Sequence, residues 1–221
     1  MGRREQYREQ TREEIKGIAR RQMAAGGWPA VSLNAIAREM DVAVSGLYRY
    51  YENRDALLTA LILDAFNAQG EAMEAAEAAH LPREDLVGRL MAALRAYRQW
   101  PLDHPSEFGL IYGTPVPGYH APAELTVPAA SRAMRVVLGV LIEARARRVL
   151  DRVHIPELPP VMDMGVPADI AQWGVLGWTR IHGFVTLEVF GHLDNVVPDR
   201  DAFYEAECRA LLEAGGMTPP G

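Results

Sequence analysis

Ser32-Leu33-Asn34-Ala35-Ile36-Ala37-Arg38-Glu39-Met40-Asp41-Val42-Ala43-Val44-Ser45-Gly46-Leu47-Tyr48-Arg49-Tyr50-Tyr51-Glu52-Asn53-Arg54-Asp55-Ala56-Leu57-Leu58 is the stretch that decides how this chain is read. Ser32 is a side-chain cap ahead of apolar residues at helical spacing and predicts a short helix through Met40. A break at Asp41-Val42-Ala43 leads to a second short helix from Val44 to Tyr50. Asp41 tolerates the left-handed backbone of a tight turn better than most residues. Asn53 predicts the cap of a longer helix from Arg54 to about Ala78. Two short helices joined by a tight turn form the helix-turn-helix pattern, whose second helix is small enough to enter a major groove. Leu33, Ile36, Ala37, Val42, Leu47, Leu57 and Leu58 are its expected core, with Ala37 small enough to let the helices meet. An ordinary helical hairpin fits the same pattern.

Outward from this stretch, apolar residues recur at helical spacing nearly everywhere and no alternating β-branched run competes, so the chain reads as all-α with about nine helices. The first spans about Glu5 to Ala25, with Ile15, Ile18, Ala19 and Met23 on one stripe, and stops at Gly26-Gly27. Pro82 and the acids Glu84 and Asp85 predict a fifth helix from about Leu81 that ends near Trp100-Pro101. Pro105 opens a sixth, to Tyr112, and Gly113 to Pro122 is an ordered loop. A seventh runs from Ala123 to Leu150, an eighth from Ala168 to Leu193 and a ninth from Asp199 to Ala214. Residues 152–167, with four prolines, form a second long loop, and the Pro-Pro-Gly tail frays. No internal repeat is visible. The expected domains are a helix-turn-helix domain over 1–55 and a helical ligand-binding and dimerisation domain over 56–221.

The 221 residues, 49% hydrophobic and 24% charged, have the composition of a globular protein, which excludes a disordered chain or a fibre. Cys208 is the only cysteine, which excludes an intrachain disulfide and a cysteine-cluster metal site. Met1 to Arg8 has no apolar stretch of the secretory kind, and the expected location is cytoplasmic. The net charge of −6 hides an asymmetry: residues 1–60 hold ten Lys/Arg against eight Asp/Glu, and the remainder carries a net −8. Lys16 is the only lysine, so phosphate or base contacts fall to arginine.

Over about residues 10–65 the sequence resembles the N-terminal DNA-binding domain of TetR-family transcriptional regulators, without gap or insertion. Trp100 to Pro105, Gly113 to Tyr119 and His182-Gly183 resemble segments of a subgroup with a WHG-type C-terminal ligand-binding and dimerisation domain. The resemblance implies a regulator that binds a palindromic double-stranded operator as a homodimer and is released by a small-molecule inducer, with repression as the family default. Ala43 stands where the family often has Ser or Thr, Tyr51 where Phe is frequent, and Arg54 where Lys is frequent.

Ser32, Tyr48, Tyr50 and Arg54 fall where the family contacts phosphates and would fix register. Val44, Ser45, Gly46 and Arg49 lie early on the recognition helix and are the candidates for base edges; Val44 suits a thymine methyl, and Arg49 suits either a bidentate contact with guanine or one more phosphate. Tyr97, Trp100, Phe108, Tyr112, Tyr119, Trp178 and Phe184, with His182 and Glu188 as polar partners, are the candidate lining of a ligand cavity; core packing is the other use of such aromatics. Residues 173–190 are apolar round most of a helix, which suits burial against a second subunit with the seventh helix as companion. Gly174 and Gly177 would allow close approach, and Arg180, His182 and Glu188 argue against a membrane span.

The rival readings are a helical-bundle enzyme or a binding protein that takes a small apolar ligand without DNA. None of the four serines sits in a nucleophile elbow, and no phosphate loop or His-Glu-x-x-His helix occurs. Glu188 and His192, at i and i+4, read better as a surface pair than as metal ligands. No metal, cofactor or catalytic residue is expected.

Overall fold

A computed structural model describes residues 2–150, 153 and 158–217, and those residues contain helices and no strands. The helices are α1 Arg3–Gly26, α2 Leu33–Glu39, α3 Val44–Leu47, α4 Arg54–Ala79, α5 Leu86–Asp103, α6 Pro105–Tyr112, α7 Ala123–Ala146, α8 Ala168–Val189 and α9 Arg200–Ala214, with a 3-10 turn at Trp28–Ala30. The expected loop over 152–167 lies partly outside the described residues, and the Pro-Pro-Gly tail wholly so. The chain divides into two compact units, residues 1–67 with 104–130 and residues 68–103 with 131–221.

In the first unit, local chemistry sets the boundaries. Ser32 Oγ accepts from Ala35 N–H at 3.4 Å and caps α2, and Asn53 Oδ1 accepts from Ala56 N–H at 2.8 Å and caps α4. Asp41 adopts the left-handed turn, with φ at 53°. Ala43 precedes α3 without a side-chain cap, and α3 is one turn long, tightening after Leu47 into a turn where Tyr50 N–H donates to Leu47 O at 2.8 Å. The expected extension of regular helix to Tyr50 is therefore a tighter turn. Ile15, Ile18, Met23, Trp28, Ile36, Ala37, Leu47, Leu57 and Leu58 form one buried cluster, on which Leu110, Val116 and Tyr119 of the α6 segment also pack. Val42 is not part of that core: its N–H bonds to Ala37 O, and its side chain is 45% exposed on the outside of the turn.

The second unit packs α5, α8 and α9 together. Asp85 Oδ1 accepts from Gly88 N–H at 2.8 Å, so this acid caps α5, and the helix begins five residues later than Leu81. α5 carries Pro101 inside it and continues to Asp103. α7 and α8 end four residues earlier than their apolar patterns suggest, at left-handed backbone on Arg148 (φ 59°) and Gly191 (φ 76°). Gly174 and Gly177 do permit close approach, but inside the unit: a methyl at Gly174 would meet Leu138 of α7, and one at Gly177 would meet Leu211 of α9. Among the described residues α7 is the one helix long and apolar enough to cross a membrane by length and composition.

Candidate nucleic-acid interface and ligand cavity

Leu47 is 1% exposed and fastens α3 to the core, with Val44 packed partly against the same cluster, so the face that carries Ser45 is presented outward. Ser45, Tyr48 and Arg49 are exposed, Tyr48 to 52%, while Val44, Gly46 and Tyr50 are half-buried. The Arg49 guanidinium lies beside Gly46, 3.8 Å from where a Cβ would stand, so the two residues share one face. Hydroxyl, guanidinium and a valine methyl thus stand together on an element narrow enough for a major groove. Ser32 is half-buried at the start of α2, where its hydroxyl oxygen is engaged as the cap.

Arg54 is occupied differently from the phosphate contact expected of it. Its Nε donates to Val31 O at 3.1 Å and its Nη2 to Trp28 O at 2.6 Å, while the guanidinium lies 4.4 Å from the centre of the Trp28 ring. These carbonyls belong to the turn that leads into α2, so Arg54 ties the N-terminus of α4 to the start of the helix-turn-helix. Nothing in the sequence marks those two carbonyls as its partners, because they lie 23 and 26 residues away. Lys16, nearly buried, bonds Asp64 at 2.8 Å, and Arg20 meets the same carboxylate at 2.5 Å, which joins α1 to α4. The lone lysine is thereby withdrawn from the surface.

In the second unit a cavity of about 60 Å³ lies among α4, α5, α7, α8 and α9, with Met73, Leu94, Met134, Leu141, Trp173 and Ile181 in its wall. Of the nine aromatic and polar candidates, Tyr97 and Trp178 line it. The Tyr97 hydroxyl stands 2.7 Å from His182 Nδ1, and Trp178, 42% exposed, stacks on the same imidazole at 5.3 Å. Burial lowers the pKa of His182 from the ordinary histidine value, which favours the neutral ring. Among the described residues no charged side chain lines the cavity.

The other candidates are placed elsewhere. Phe108, Tyr112 and Tyr119 belong to the first unit, where the Tyr112 ring meets Phe66 edge-on and Phe108 at a tilt and Tyr119 Oη lies 2.8 Å from Thr59 Oγ1. Trp100 is buried in α5. Phe184 packs on Phe203 and Tyr204. Glu188 is bound by Arg98 through two bonds of 2.7 and 2.6 Å, and Arg98 also reaches Asp201 at 2.7 Å. These partners hold the Arg98 pKa above its usual range, the Glu188 bond being the largest cause. No cluster of His, Cys, Asp or Glu among the described residues is arranged to hold a metal ion.

A one-turn helix offering polar groups from a helix-turn-helix core, in a chain whose second unit encloses an apolar cavity, defines a DNA-binding regulator with a ligand-binding domain. The chain matches "Bacterial regulatory proteins, tetR family" over residues 18–61 and "Tetracyclin repressor-like, C-terminal domain" over residues 90–211. It is 32% identical to the HTH-type transcriptional regulator Rv1816 of Mycobacterium tuberculosis, over 96% of this chain and 95% of that protein. The solved structure of SCO4313 is 33% identical and superposes with a TM-score of 0.77, covering 96% of this chain and 100% of that one. A TetR family transcription regulator from Marinobacter aquaeolei VT8 shares the fold at 18% identity, with a TM-score of 0.66 over 96% of this chain and 98% of that one. The chain belongs to the TetR family of transcriptional regulators.

Proposed function

We propose that this regulator is a repressor: a cytoplasmic homodimer that binds a palindromic operator through α3 of each subunit and leaves it when a small, uncharged, apolar molecule enters the cavity of the second unit. The observation that carries the reading is the outward face of α3 and of the turn that ends it, where Ser45, Tyr48 and Arg49 are exposed over a core that holds Leu47 and partly covers Val44. Tyr48 and Tyr50 fix register on phosphates, and Arg49 reads a base. The functional boundary falls near residue 55, although α4 runs on across it.

Dimerisation is supported by apolar side chains left uncovered in one chain: Ile142 on α7, and Trp178 and Leu187 on α8, are each more than 40% exposed. A helix–helix interface formed by α7 and α8 of two subunits covers them and accounts for the apolar character of α7 without a membrane. The twofold axis then sets two α3 elements about 34 Å apart, one turn of the duplex.

The lining excludes charged inducers, since nothing in it compensates an ion. At about 60 Å³ the cavity is smaller than the several hundred Å³ usual for occupied ligand sites. A ligand of that size must displace the surrounding helices, and Met73 lies on α4, the helix that also carries Leu57 and Leu58 of the helix-turn-helix core. That differential contact lets a ligand change operator affinity. Footprinting of purified protein on the DNA upstream of its own gene tests the reading: a protected palindrome with half-sites one or more duplex turns apart is expected, and absence of any protected sequence there and in a selected random pool overturns it.

A further inference from the structure

The net +2 of residues 1–60 comes entirely from the first twelve. Residues 1–12 hold four arginines against two glutamates, whereas residues 13–60 hold six basic and six acidic side chains. The balanced part is also largely consumed within the fold. Lys16 and Arg20 share Asp64, Arg21 meets Glu39, and Arg54 binds the Trp28 and Val31 carbonyls. Among the described residues Arg3, Arg4, Arg8 and Arg12 make no ion pair, and Arg12 Nε is buried without a hydrogen-bond partner.

Arg3, Arg4 and Arg8 ride on an exposed part of α1, and Arg12 is half-buried where that part meets the rest of the unit. The helix begins at Arg3, but its first buried residue is Ile15; before that every side chain is exposed except the half-buried Thr11 and Arg12, and Tyr7 is 66% exposed. Helices draw most of their stability from tertiary packing of an apolar face, and three turns that are polar all round lack one. Arg4, Arg8 and Arg12 follow at intervals of four, so they form one winding stripe with about 6 Å of rise between neighbours. One strand of duplex presents a phosphate about every 3.4 Å along its axis, so the stripe matches every second phosphate or so. The base of the stripe adjoins the recognition element: Arg12 and Lys16 are close enough to Tyr51 to act on its hydroxyl electrostatically, and Tyr51 directly follows the turn that ends α3.

We propose that Arg4, Arg8 and Arg12 form a second DNA-contacting surface, which grips duplex phosphates beside the stretch covered by α3 and is indifferent to base sequence. This rests on the DNA-binding reading of α3 and adds to it a contact that supplies affinity without specificity. It also explains how an acidic protein holds DNA: the arm concentrates the positive excess where phosphates lie, while the net −8 stays on the rest of the chain.

The test is binding of the full chain to a long random-sequence duplex by fluorescence anisotropy across a salt series, for the parent and for Arg4→Gln/Arg8→Gln/Arg12→Gln. The slope of log affinity against log salt is expected to flatten by about two to three per subunit, or about five for the bound dimer, since each lost phosphate contact removes about 0.9. The Lys/Lys/Lys variant should retain the parental slope, and the base preference selected from a random pool should be the same for all three proteins. A Gln variant with an unchanged slope overturns the proposal, as does one whose loss of binding accompanies dissociation in sedimentation, which would make a second copy the partner of the stripe. If the parent protein binds neither random nor promoter DNA, the reading of α3 falls as well; if the parent binds and the Gln variant keeps the parental slope, the arm alone falls.

Discussion

The two regions to which we assign a proposed function are built on opposite principles. The recognition surface is one helical turn held from behind by a fully buried leucine, with its polar side chains facing out and few of their groups committed elsewhere. The cavity is drawn from five helices, walled by aliphatic and aromatic side chains, and its one marked polar contact, Tyr97 with His182, is already satisfied internally. A surface that must match a fixed duplex gains from rigidity. A pocket that must report on a ligand gains from being small and incompletely packed, so that filling it has mechanical consequences.

That contrast can be broken most forcefully at the packing level. Leu47→Ala removes a side chain with no room to relax, and should cost about 2–5 kcal/mol of stability and abolish DNA binding. Val137→Ala, at the cavity wall, should cost less, because a void is already there. Urea unfolding of both variants measures the difference; equal losses would mean that the cavity wall is as tightly packed as the recognition core. Next in size is Arg54→Ala, which takes two charged hydrogen bonds and a ring contact from the turn before α2 and should destabilise by about 1–3 kcal/mol. Its salt dependence of DNA binding should stay parental, whereas a phosphate contact would flatten the slope by about 1 per subunit.

The smallest effect concerns His182. Its pKa is lowered in the fold by burial, so the unfolded chain binds the proton more readily than the native one, and stability falls as pH drops below the ordinary histidine range near 6.5. His182→Gln should remove that part of the acid sensitivity, read as midpoint denaturant concentration at pH 7.5 and pH 5.5. An identical pH response in the variant would show that the imidazole titrates freely.

The same contrast explains what could be read from the sequence. The helix-turn-helix was legible because its determinants are local: the Ser32 and Asn53 caps, the left-handed Asp41 and the apolar spacing all act within a few residues of the boundary they set. Where a boundary depended on which acid was the cap, as at Asp85, or on a single left-handed residue, as at Arg148, the apolar periodicity overran it. The cavity was legible only in part. Tyr97 and Trp178 were found by their chemistry, but Met73, Met134 and Leu141 have the same spacing as any core residue, and the partition of Phe108, Tyr112 and Tyr119 into the first unit depends on how the chain folds back. Glu188 looked like a polar group awaiting a ligand because its partner, Arg98, lies 90 residues away. The arginine stripe at the start of α1 did leave a signal, an excess of charge confined to twelve residues, which becomes meaningful only once the helix is seen to extend beyond its core.

The central claim, that α3 reads bases through Arg49, is tested most directly by selecting binding sites from a random duplex pool with the parent and with Arg49→Ala. The account predicts a palindromic consensus for the parent, and for the variant the same consensus with preference relaxed at one symmetric pair of positions and affinity lower by about 1–3 kcal/mol. An identical consensus at every position for the two proteins would contradict it.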